Sequence, residues 1–434
     1  MKKNRKAPTL LQVHSQADGK DTPLGVLSYD VRRQHGAFQW SDEALEQGVE
    51  WSPIHLPLNK NLWLAGVKER EIAGLPGLIH DALPDGWGVL LMDRAFGQAG
   101  IRRDEISPLM RLAYLADRCW GALRFEPQWG EDLGKRQQAT LARLSEEAKA
   151  IEEGDTERVS EALLVAGGSP HGARPKILVA INSGGDHALV GHETLPDGYR
   201  HVLVKFAARD EHPSAPLLEY CYVEAARRAG IETAPTQLRD IRGNPAICFD
   251  RFDRVDGQKR HVHSLAGMMH VTHRVANTDW EHVASILKRL PGGEAGLHEA
   301  FRRAVFNAVF CVRDDHAKNH AFLRHPDNQW AMTPAYDIAY SDGPGGYHTM
   351  MYAGHTGKNV TAQDLVRLGE HFGVDVAAVA AERERALEAR THMMSEAKGL
   401  GVPKTILANI VRRFKEIDKD MKPKTPRKKP AAGT

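Results

Sequence analysis

Cysteine is scarce in this chain of 434 residues, and long apolar runs are absent from it. Its four cysteines are scattered, and three of them lie within apolar stretches: Cys119, Cys221, Cys248 and Cys311. This distribution predicts buried thiols in a reducing compartment, and it argues against a disulfide framework or a zinc site.

No apolar run approaches the roughly 20 residues that a helix needs to cross a bilayer. The opening residues, MKKNRKAPTLL, also lack the apolar segment of a secretory signal peptide. We therefore expect a cytoplasmic protein that has no membrane partner.

An excess of one charge is absent as well. Lysine and arginine number 58 against 56 aspartates and glutamates, which leaves a formal net charge of +2. This balance argues against a protein whose whole surface binds nucleic acid. Residues 2–6 and 422–429 are basic; such short ends are typical of solvated tails, and contact with DNA phosphates is the alternative.

The polar segment RDDHAKN, residues 313–319, carries most of the functional information. Asp314 is followed by Asn319, and a second aspartate, Asp337, lies further on in the short segment YDI. Protein kinases arrange their catalytic loop and metal site in this order. There Asp314 would accept the proton of the acceptor hydroxyl, while Asn319 and Asp337 would hold Mg²⁺ against the phosphates. Taken alone, the segment is equally compatible with a solvated turn, because Asp, Asn and Lys favour loops.

The residues around this segment also follow the order of a kinase C-terminal lobe. Residues 300–312 have the apolar spacing of a helix that ends just before the polar segment. Residues 320–323 and 329–332 are predicted to form a hairpin, because a turn sequence separates two apolar runs.

A glycine-rich turn, residues 167–176, runs into an apolar strand upstream. Glycine lets backbone N–H groups approach phosphate oxygens closely, so Gly168, Ser169 and Gly172 are candidate ATP-binding residues together with Lys176. Such a turn is weak support alone, because most glycine-rich turns are only connections.

The next strand, residues 201–206, contains a single lysine, Lys205. A buried ammonium group needs a partner. The helix predicted over residues 216–230 offers Glu219 and Glu224, of which Glu219 is the better candidate.

A further apolar strand, residues 246–249, leads into Asp250 and Phe252, where a kinase places the linker that borders adenine. Five elements therefore occur in the order found in kinases: the glycine-rich turn, the strand lysine, the helix glutamate, the linker and the Asp–Asn–Asp set. This combination is far more specific than any one of its elements.

Six motifs together resemble the HipA-type Ser/Thr kinases, the toxins of HipBA toxin–antitoxin modules. They are LPG (75–77), DALPDGWG (81–88), GARPK (172–176), FDRFDR (249–254), DDHAKNH (314–320) and TPAYDI (333–338). The resemblance covers nearly the whole chain. It implies an α+β, protein-kinase-like bilobal fold, with a mixed α/β N-terminal lobe and a mostly helical C-terminal lobe.

The resemblance also implies roles for the candidate residues. Lys205 would contact the ATP phosphates and Glu219 would steady it. His316 and Lys318 would support the catalytic loop, and Lys318 would also stabilise the transferring phosphoryl group. ATP and Mg²⁺ are the implied cofactors. Ser169 would be autophosphorylated, and its added negative charge would disfavour nucleotide binding.

An aminoacyl-tRNA synthetase, with glutamyl-tRNA synthetase as the leading case, is the implied protein substrate. A small HipB-like DNA-binding antitoxin is the implied partner, and operator DNA would be contacted mainly through it, because no helix-turn-helix is evident in this chain. One departure is that many relatives have Asn-Thr before the catalytic aspartate, where this chain has Val312-Arg313.

The predicted domain organisation has five parts. These are an N-terminal subdomain (1–130), a charged connector (131–158), the ATP-binding part of the kinase core (159–278), a helical lobe with the catalytic loop (279–420) and a basic disordered tail (421–434).

Other functions remain open from the sequence. A metal-dependent hydrolase or nuclease could use Asp314, Asp315, His316 and Asp337 as ligands, although it would have no use for Lys205 or the glycine turn. A catalytically inactive corepressor subunit is the second alternative. The pairs His316/His320 and His270/His273 have spacings compatible with zinc, but no third ligand completes a pattern.

Overall fold

The computed structural model describes residues 7–130, 137–154, 159–167, 172–182, 184–274, 278–355 and 357–422. Gly168, Ser169 and most of the basic tail therefore lie outside the described residues. Within the described part, no helix is long and apolar enough to cross a membrane.

The N-terminal domain is an antiparallel sheet covered by helices. Its elements are β1 (Leu10–Ser15), β2 (Thr22–Asp30), β3 (His35–Trp40), α1 (Asp42–Gln47), β4 (Trp63–Leu64), α2 (Gly77–His80), α3 (Gly86–Gln98), α4 (Pro108–Leu115) and β5 (Leu123–Glu126). The strand order is β4-β3-β2-β1-β5. Buried residues alternate along β1 and β3, so one face of the sheet packs on the core.

The N-terminal lobe of the kinase-like part is built on a second sheet. Its elements are β6 (Gln137–Thr140), α5 (Leu141–Glu152), α6 (Glu161–Gly167), β7 (Lys176–Asn182), β8 (His187–Val190), β9 (Tyr199–Lys205), α7 (Ala215–Arg228), β10 (Thr236–Ile241) and β11 (Asn244–Asp250). The six strands pair in the order β10-β11-β9-β7-β8-β6. Lys205 ends β9, which lies between β7 and β11.

The charged segment 131–158, predicted as a connector, differs from that expectation in its described part. β6 pairs with β8 at the edge of the second sheet, and α5 buries Leu144, Ala148 and Ile151. These residues have helical spacing, so α5 packs as an amphipathic helix although most of its other residues are polar. Its described residues, 137–154, therefore belong to the N-terminal lobe.

The remaining elements begin with β12 (Arg254–Val255), β13 (Gln258–Lys259), β14 (His261–Ser264) and α8 (Leu265–Met269). The C-terminal lobe follows with β15 (Thr278–Asp279), α9 (Trp280–Leu287), α10 (Leu297–Phe310), β16 (Ala321–Arg324), β17 (Trp330–Met332), β18 (Met350–Met351), α11 (Ala362–Phe372), α12 (Val376–Gly399) and α13 (Lys404–Asp420). Helix α10 is buried along most of its length and packs against α9, α11, α12 and α13.

This lobe places the polar segment where the sequence predicts it. Helix α10 ends at Phe310, and Cys311 closes it in the left-handed conformation, with φ of 56°. The chain then passes through residues 312–320 into the antiparallel pair β16–β17, which β14 extends to three strands. The predicted helix and hairpin on either side of the segment are thus present.

The N-terminal domain and the N-terminal lobe are not separate bodies. One apolar core contains residues of both, including Leu91 and Phe96 of α3 and Ile177 and Val204 of the second sheet. A buried polar link joins the N-terminal domain to β14 as well: Asp81 accepts from His263 Nδ1 at 2.6 Å, and His263 Nε2 lies 2.9 Å from Ser52 Oγ.

Ser52, His263 and Asp81 have the order of a nucleophile, a base and an acid. All three side chains are buried, with relative exposures of 0%, 0% and 7%. A substrate has no access to them, so the link joins the N-terminal domain to β14 and holds no catalytic role.

Candidate active site

The centre of the site is the ammonium group of Lys205. Its Nζ donates to Glu219 Oε1 of α7 at 2.6 Å and also to Asp337 Oδ1, which lies in the loop after β17. The Lys205 and Glu219 side chains are only 4% and 5% exposed. The predicted choice of Glu219 agrees with this geometry, whereas Glu224 pairs with Arg227 on the surface of α7.

Charge in this cluster is distributed so that Asp337 stays ionised. Burial would raise the pKa of Asp337, but the ammonium groups of Lys205 and Lys176 outweigh burial and hold that pKa well below its usual range. For Lys205, burial lowers the pKa, yet the carboxylates of Asp337 and Glu219 raise it above its usual value.

Lys176 stands directly opposite Lys205 across β7 and β9. Residues at such paired positions point to the same face of a sheet, so both lysines face the site. Burial is the main cause that lowers the pKa of Lys176. Two neighbouring ammonium groups make this face a place for anionic oxygens.

Arg174, a second basic residue of the glycine-rich turn, pairs with carboxylates in this structure. Its Nη2 lies 2.8 Å from Glu211 Oε1, and its Nη1 lies 3.8 Å from Glu219 Oε2. Arg174 therefore adds a positive charge beside Glu219 at the edge of the ion cluster.

Asp314 is exposed at the start of the catalytic loop. Asn319 donates its Nδ2 to the carbonyl oxygen of Asp314 at 2.7 Å, which fixes the loop and leaves Oδ1 of the amide for a cation. Asn319 and Asp337 line one small cavity. Asp337 has a positive φ of 54°, a rare conformation that concentrates at functional sites.

Asn319 and Asp337 suit Mg²⁺ chemically. Mg²⁺ binds through one or two carboxylates together with substrate phosphates, rather than in a cage made only of protein ligands. Within the described ranges, no three His, Cys, Asp or Glu side chains converge on a point where they could hold a metal ion. A site of one carboxylate and one amide oxygen therefore depends on phosphate oxygens to complete it.

Asp315, next to the exposed Asp314, is 1% exposed and has a different role. Its Oδ1 accepts from the backbone N–H groups of Thr349 and Met350 at 2.9 and 3.1 Å, and its Oδ2 lies 2.8 Å from His348 Nδ1. Both oxygens are thus committed to residues 348–350. This use of Asp315 removes a ligand on which the hydrolase alternative relied.

Arg313, the departure noted before the catalytic aspartate, anchors the same segment. Its guanidinium donates to the carbonyl oxygens of Gly346 at 2.9 Å and Lys358 at 3.3 Å. Arg313 and Asp315 therefore hold residues 346–350 and Lys358 against the catalytic loop from the two sides of Asp314.

Lys318 faces the N-terminal domain, and His316 faces His273. Lys318 Nζ donates to Asp85 Oδ2 at 3.2 Å, and its side chain is 3% exposed. The His316 ring lies 5.1 Å from the His273 ring. Gly172, at the end of the glycine-rich turn, donates its backbone N–H to the other oxygen of Asp85.

A largely apolar pocket adjoins the ion cluster. Its lining includes Leu203, Ala234, Phe249 and Ala335, and Lys205 and Asp337 stand at one side of it. This composition suits a planar, apolar ring whose attached charged group lies against the lysine.

Aromatic side chains form another wall of this pocket. Phe252 stacks on Tyr336 at 5.8 Å between ring centroids, and Trp120, from the N-terminal domain, packs edge-on against Phe252 at 5.2 Å. Asp250 also lines the pocket and accepts from Arg200 Nε at 2.8 Å. The structure thus brings Asp250 and Phe252 to the pocket, as the sequence predicts.

Comparison with known families decides the assignment. The sequence matches a family model described as the HipA-like C-terminal domain over residues 168–409, which is more than half of the chain, and one described as the HipA N-terminal domain over residues 17–126. The chain belongs to the HipA family. A search of curated proteins found no match.

Solved structures with similar folds include a chain of the Shewanella oneidensis MR-1 toxin–antitoxin complex of HipA, HipB and operator DNA. The TM-score is 0.68 at 17% identity, covering 94% of this chain and 96% of that chain. The predicted α+β, kinase-like bilobal fold is confirmed. The Helicobacter pylori proinflammatory kinase CtkA aligns with a TM-score of 0.35 and 11% identity, over 56% of this chain and 91% of that one, too weakly to add to this.

Four residues of the HipA-family site were missed by sequence reasoning or given another role. Trp120 lies far upstream of the kinase motifs and carried no signal. Asp85 belongs to the motif DALPDGWG, which suggested the family but no function. Tyr336 was noted only as a neighbour of Asp337, and Asp315 only as a ligand of a hydrolase.

The adjacent carboxylates Asp314 and Asp315 give a matched test of the site's architecture. Asp315→Ala leaves four buried or half-buried donors without their acceptor, the fourth being Tyr352 OH, so we expect the free energy of unfolding to fall on the order of 3 kcal/mol. Asp314→Ala removes an exposed carboxylate and is expected to change it by less than about 0.5 kcal/mol. Urea unfolding of both variants measures the difference, and equal losses would contradict the assignment.

Proposed function

We propose that this chain is an ATP- and Mg²⁺-dependent protein Ser/Thr kinase. The observation that carries the proposal is the Lys205–Glu219–Asp337 cluster at the side of an apolar pocket, because it offers phosphate-binding charge beside space for a base. The exposed Asp314 and the amide of Asn319 stand on the catalytic loop of the facing lobe.

The residues divide the work of phosphoryl transfer. The apolar and aromatic walls, with Phe252 and Asp250, bind the adenine end of ATP, while Lys205 and Lys176 contact the phosphates. Gly168 and Ser169 would cover the phosphates through their backbone N–H groups, and Gly172, whose N–H donates to Asp85, would hold the turn in place. Asp314 orients the acceptor hydroxyl and takes its proton.

Asn319 and Asp337 would hold Mg²⁺, which neutralises the charge that develops on the phosphates. His316 and Lys318 steady the catalytic loop, and Lys318 brings a positive charge towards the transferring phosphoryl group. The protein's contribution is positioning and charge stabilisation, with little covalent chemistry.

The physiological role proposed is that of a toxin in a type II toxin–antitoxin system. Similarity to the HipA–HipB–operator complex along 94% of this chain supports a HipB-like DNA-binding antitoxin as partner, with operator DNA contacted mainly through it. The proposed substrate is an aminoacyl-tRNA synthetase, with glutamyl-tRNA synthetase as the leading candidate. This choice of substrate rests on family resemblance alone.

Incubation of the purified chain with γ-labelled ATP and Mg²⁺ tests the kinase reaction. The wild-type chain is expected to incorporate label, and mass spectrometry is expected to find phosphate on Ser169. Asp314→Asn should lower incorporation at least about a hundredfold, because proton transfer is lost while ATP still binds. Asp337→Asn should lose the Mg²⁺-dependent gain in ATP affinity.

Three outcomes count against separate parts of this proposal. Turnover of Asp314→Asn at the wild-type rate would contradict the assignment of the base. Metal-dependent cleavage of nucleic acid without any labelling would favour the hydrolase. An unmodified Ser169 in fully active protein would exclude only the autophosphorylation.

Expression of the chain without an antitoxin tests the toxin role. We expect growth to stop because translation is inhibited, and Asp337→Asn, which should not support transfer, to restore growth. Unimpaired growth at high levels of demonstrably active kinase would argue against a toxin while leaving the chemistry intact.

A further inference from the structure

Asp85 lies at the start of α3, where an aspartate normally caps its own helix. Its backbone is extended, with φ of −129° and ψ of −179°, as at other N-terminal caps, but its side chain makes no capping hydrogen bond. A capping bond stabilises a helix by about 1 kcal/mol. The carboxylate forgoes this local contact and is directed elsewhere.

The two oxygens of Asp85 reach two distant parts of the site. One accepts the backbone N–H of Gly172, 87 residues away in the chain, and the other accepts Nζ of Lys318 at 3.2 Å, 233 residues away. One carboxylate therefore joins the end of the glycine-rich turn to the catalytic loop. His273 adds a third contact, with Nε2 at 3.6 Å.

The next two residues reinforce this contact with the turn. Trp87 donates its backbone N–H to Gly172 O at 3.0 Å and its indole N–H to Lys176 O at 2.9 Å. Gly86, with φ of 43°, approaches so closely that a Cβ there would lie 2.6 Å from Gly172 O. The requirement for glycine shows how tightly this segment is docked on residues 172–176.

The contact between Asp85 and Lys318 is an ion pair that neutralises a buried charge. Its side chain is 3% exposed, and a buried ammonium group is costly without a counter-charge. Asp85 supplies that charge directly, while the backbone oxygen of Lys318 accepts from Tyr336 OH at 2.6 Å. The side chain and the backbone of Lys318 are thus both fixed.

We propose that Asp85 is a positioning residue for phosphoryl transfer, supplied by the N-terminal domain. It sets the distance between the glycine-rich turn and the catalytic loop and orients Lys318 towards the phosphates. This inference rests on the proposed kinase function. It makes the N-terminal domain part of the catalytic apparatus.

The test compares Asp85→Asn with Asp93→Asn. Both aspartates belong to the segment of α3, and both side chains are 13% exposed and bonded to a cation, but Asp93 pairs with Arg103 and Arg111 within the N-terminal domain. Asp85→Asn is expected to lower kcat at least about tenfold while the Kd of ADP changes less than about threefold. Asp93→Asn should leave both constants near the wild-type values.

A double-mutant cycle separates positioning from general stabilisation. If Asp85 acts through Lys318, then Lys318→Met lowers kcat, and adding Asp85→Asn to it has no further effect beyond about twofold. Additive losses, or equal losses of kcat and ADP affinity, would show a merely structural role and overturn the proposal. If Asp85→Asn folds poorly, the kcat of Lys318→Met alone still tests whether the group that Asp85 positions is needed.

Hydrogen exchange supplies a readout that needs no activity. Asp85→Asn is expected to speed amide exchange in residues 172–176 and 316–319, and Asp93→Asn is not. Unchanged exchange together with an unchanged kcat overturns the positioning role while wild-type labelling still supports the kinase. Faster exchange with no labelling by any protein would contradict the kinase chemistry and, with it, the catalytic role of Asp85.

Discussion

The site depends on the burial of one ammonium group between two carboxylates from different parts of the chain. Lys205 ends a central strand of the N-terminal lobe, Glu219 comes from α7 of that lobe, and Asp337 comes from the C-terminal lobe. A buried charge without a partner is costly, so this cluster links the lobes where a nucleotide would lie. Asp337 also lines a small cavity together with Asn319 of the catalytic loop.

The N-terminal domain is built into this arrangement. It shares an apolar core with the second sheet, sends Trp120 to the wall of the pocket and extends Asp85 between the glycine-rich turn and the catalytic loop. A kinase core without this domain would lack a pocket wall and the counter-charge of Lys318. The N-terminal domain is therefore part of the structural unit that forms the site.

The sequence was sufficient to predict the kinase-like fold and the elements around the site, because their signals are local. The lysine in an apolar strand, the glutamate on an amphipathic helix and the Asp–Asn–Asp spacing each follow from periodicity and short motifs. Trp120 and Asp85 could not be predicted in this way, since their roles arise only when segments more than 80 residues apart come together.

Two further differences between the expectations from the sequence and the structure have physical causes. The connector 131–158 has the composition of an exposed linker, but the five apolar residues that α5 buries are sufficient to pack one side of this helix on the core. Adjacent Asp314 and Asp315 look equivalent in the sequence, yet the turn of the backbone sends one to solvent and the other into a pocket of N–H donors.

Calorimetric titration of the folded Lys205→Met variant with ATP and Mg²⁺ tests the central claim most directly. Loss of the ammonium group removes the charge that faces the phosphates, so we predict that ATP affinity falls at least about tenfold, or about 1.4 kcal/mol. Lys259→Met removes another buried lysine, which bonds to Gln16 and does not line the pocket, and it should retain the wild-type affinity. Binding of ATP to folded Lys205→Met within about threefold of the wild-type affinity would contradict the account.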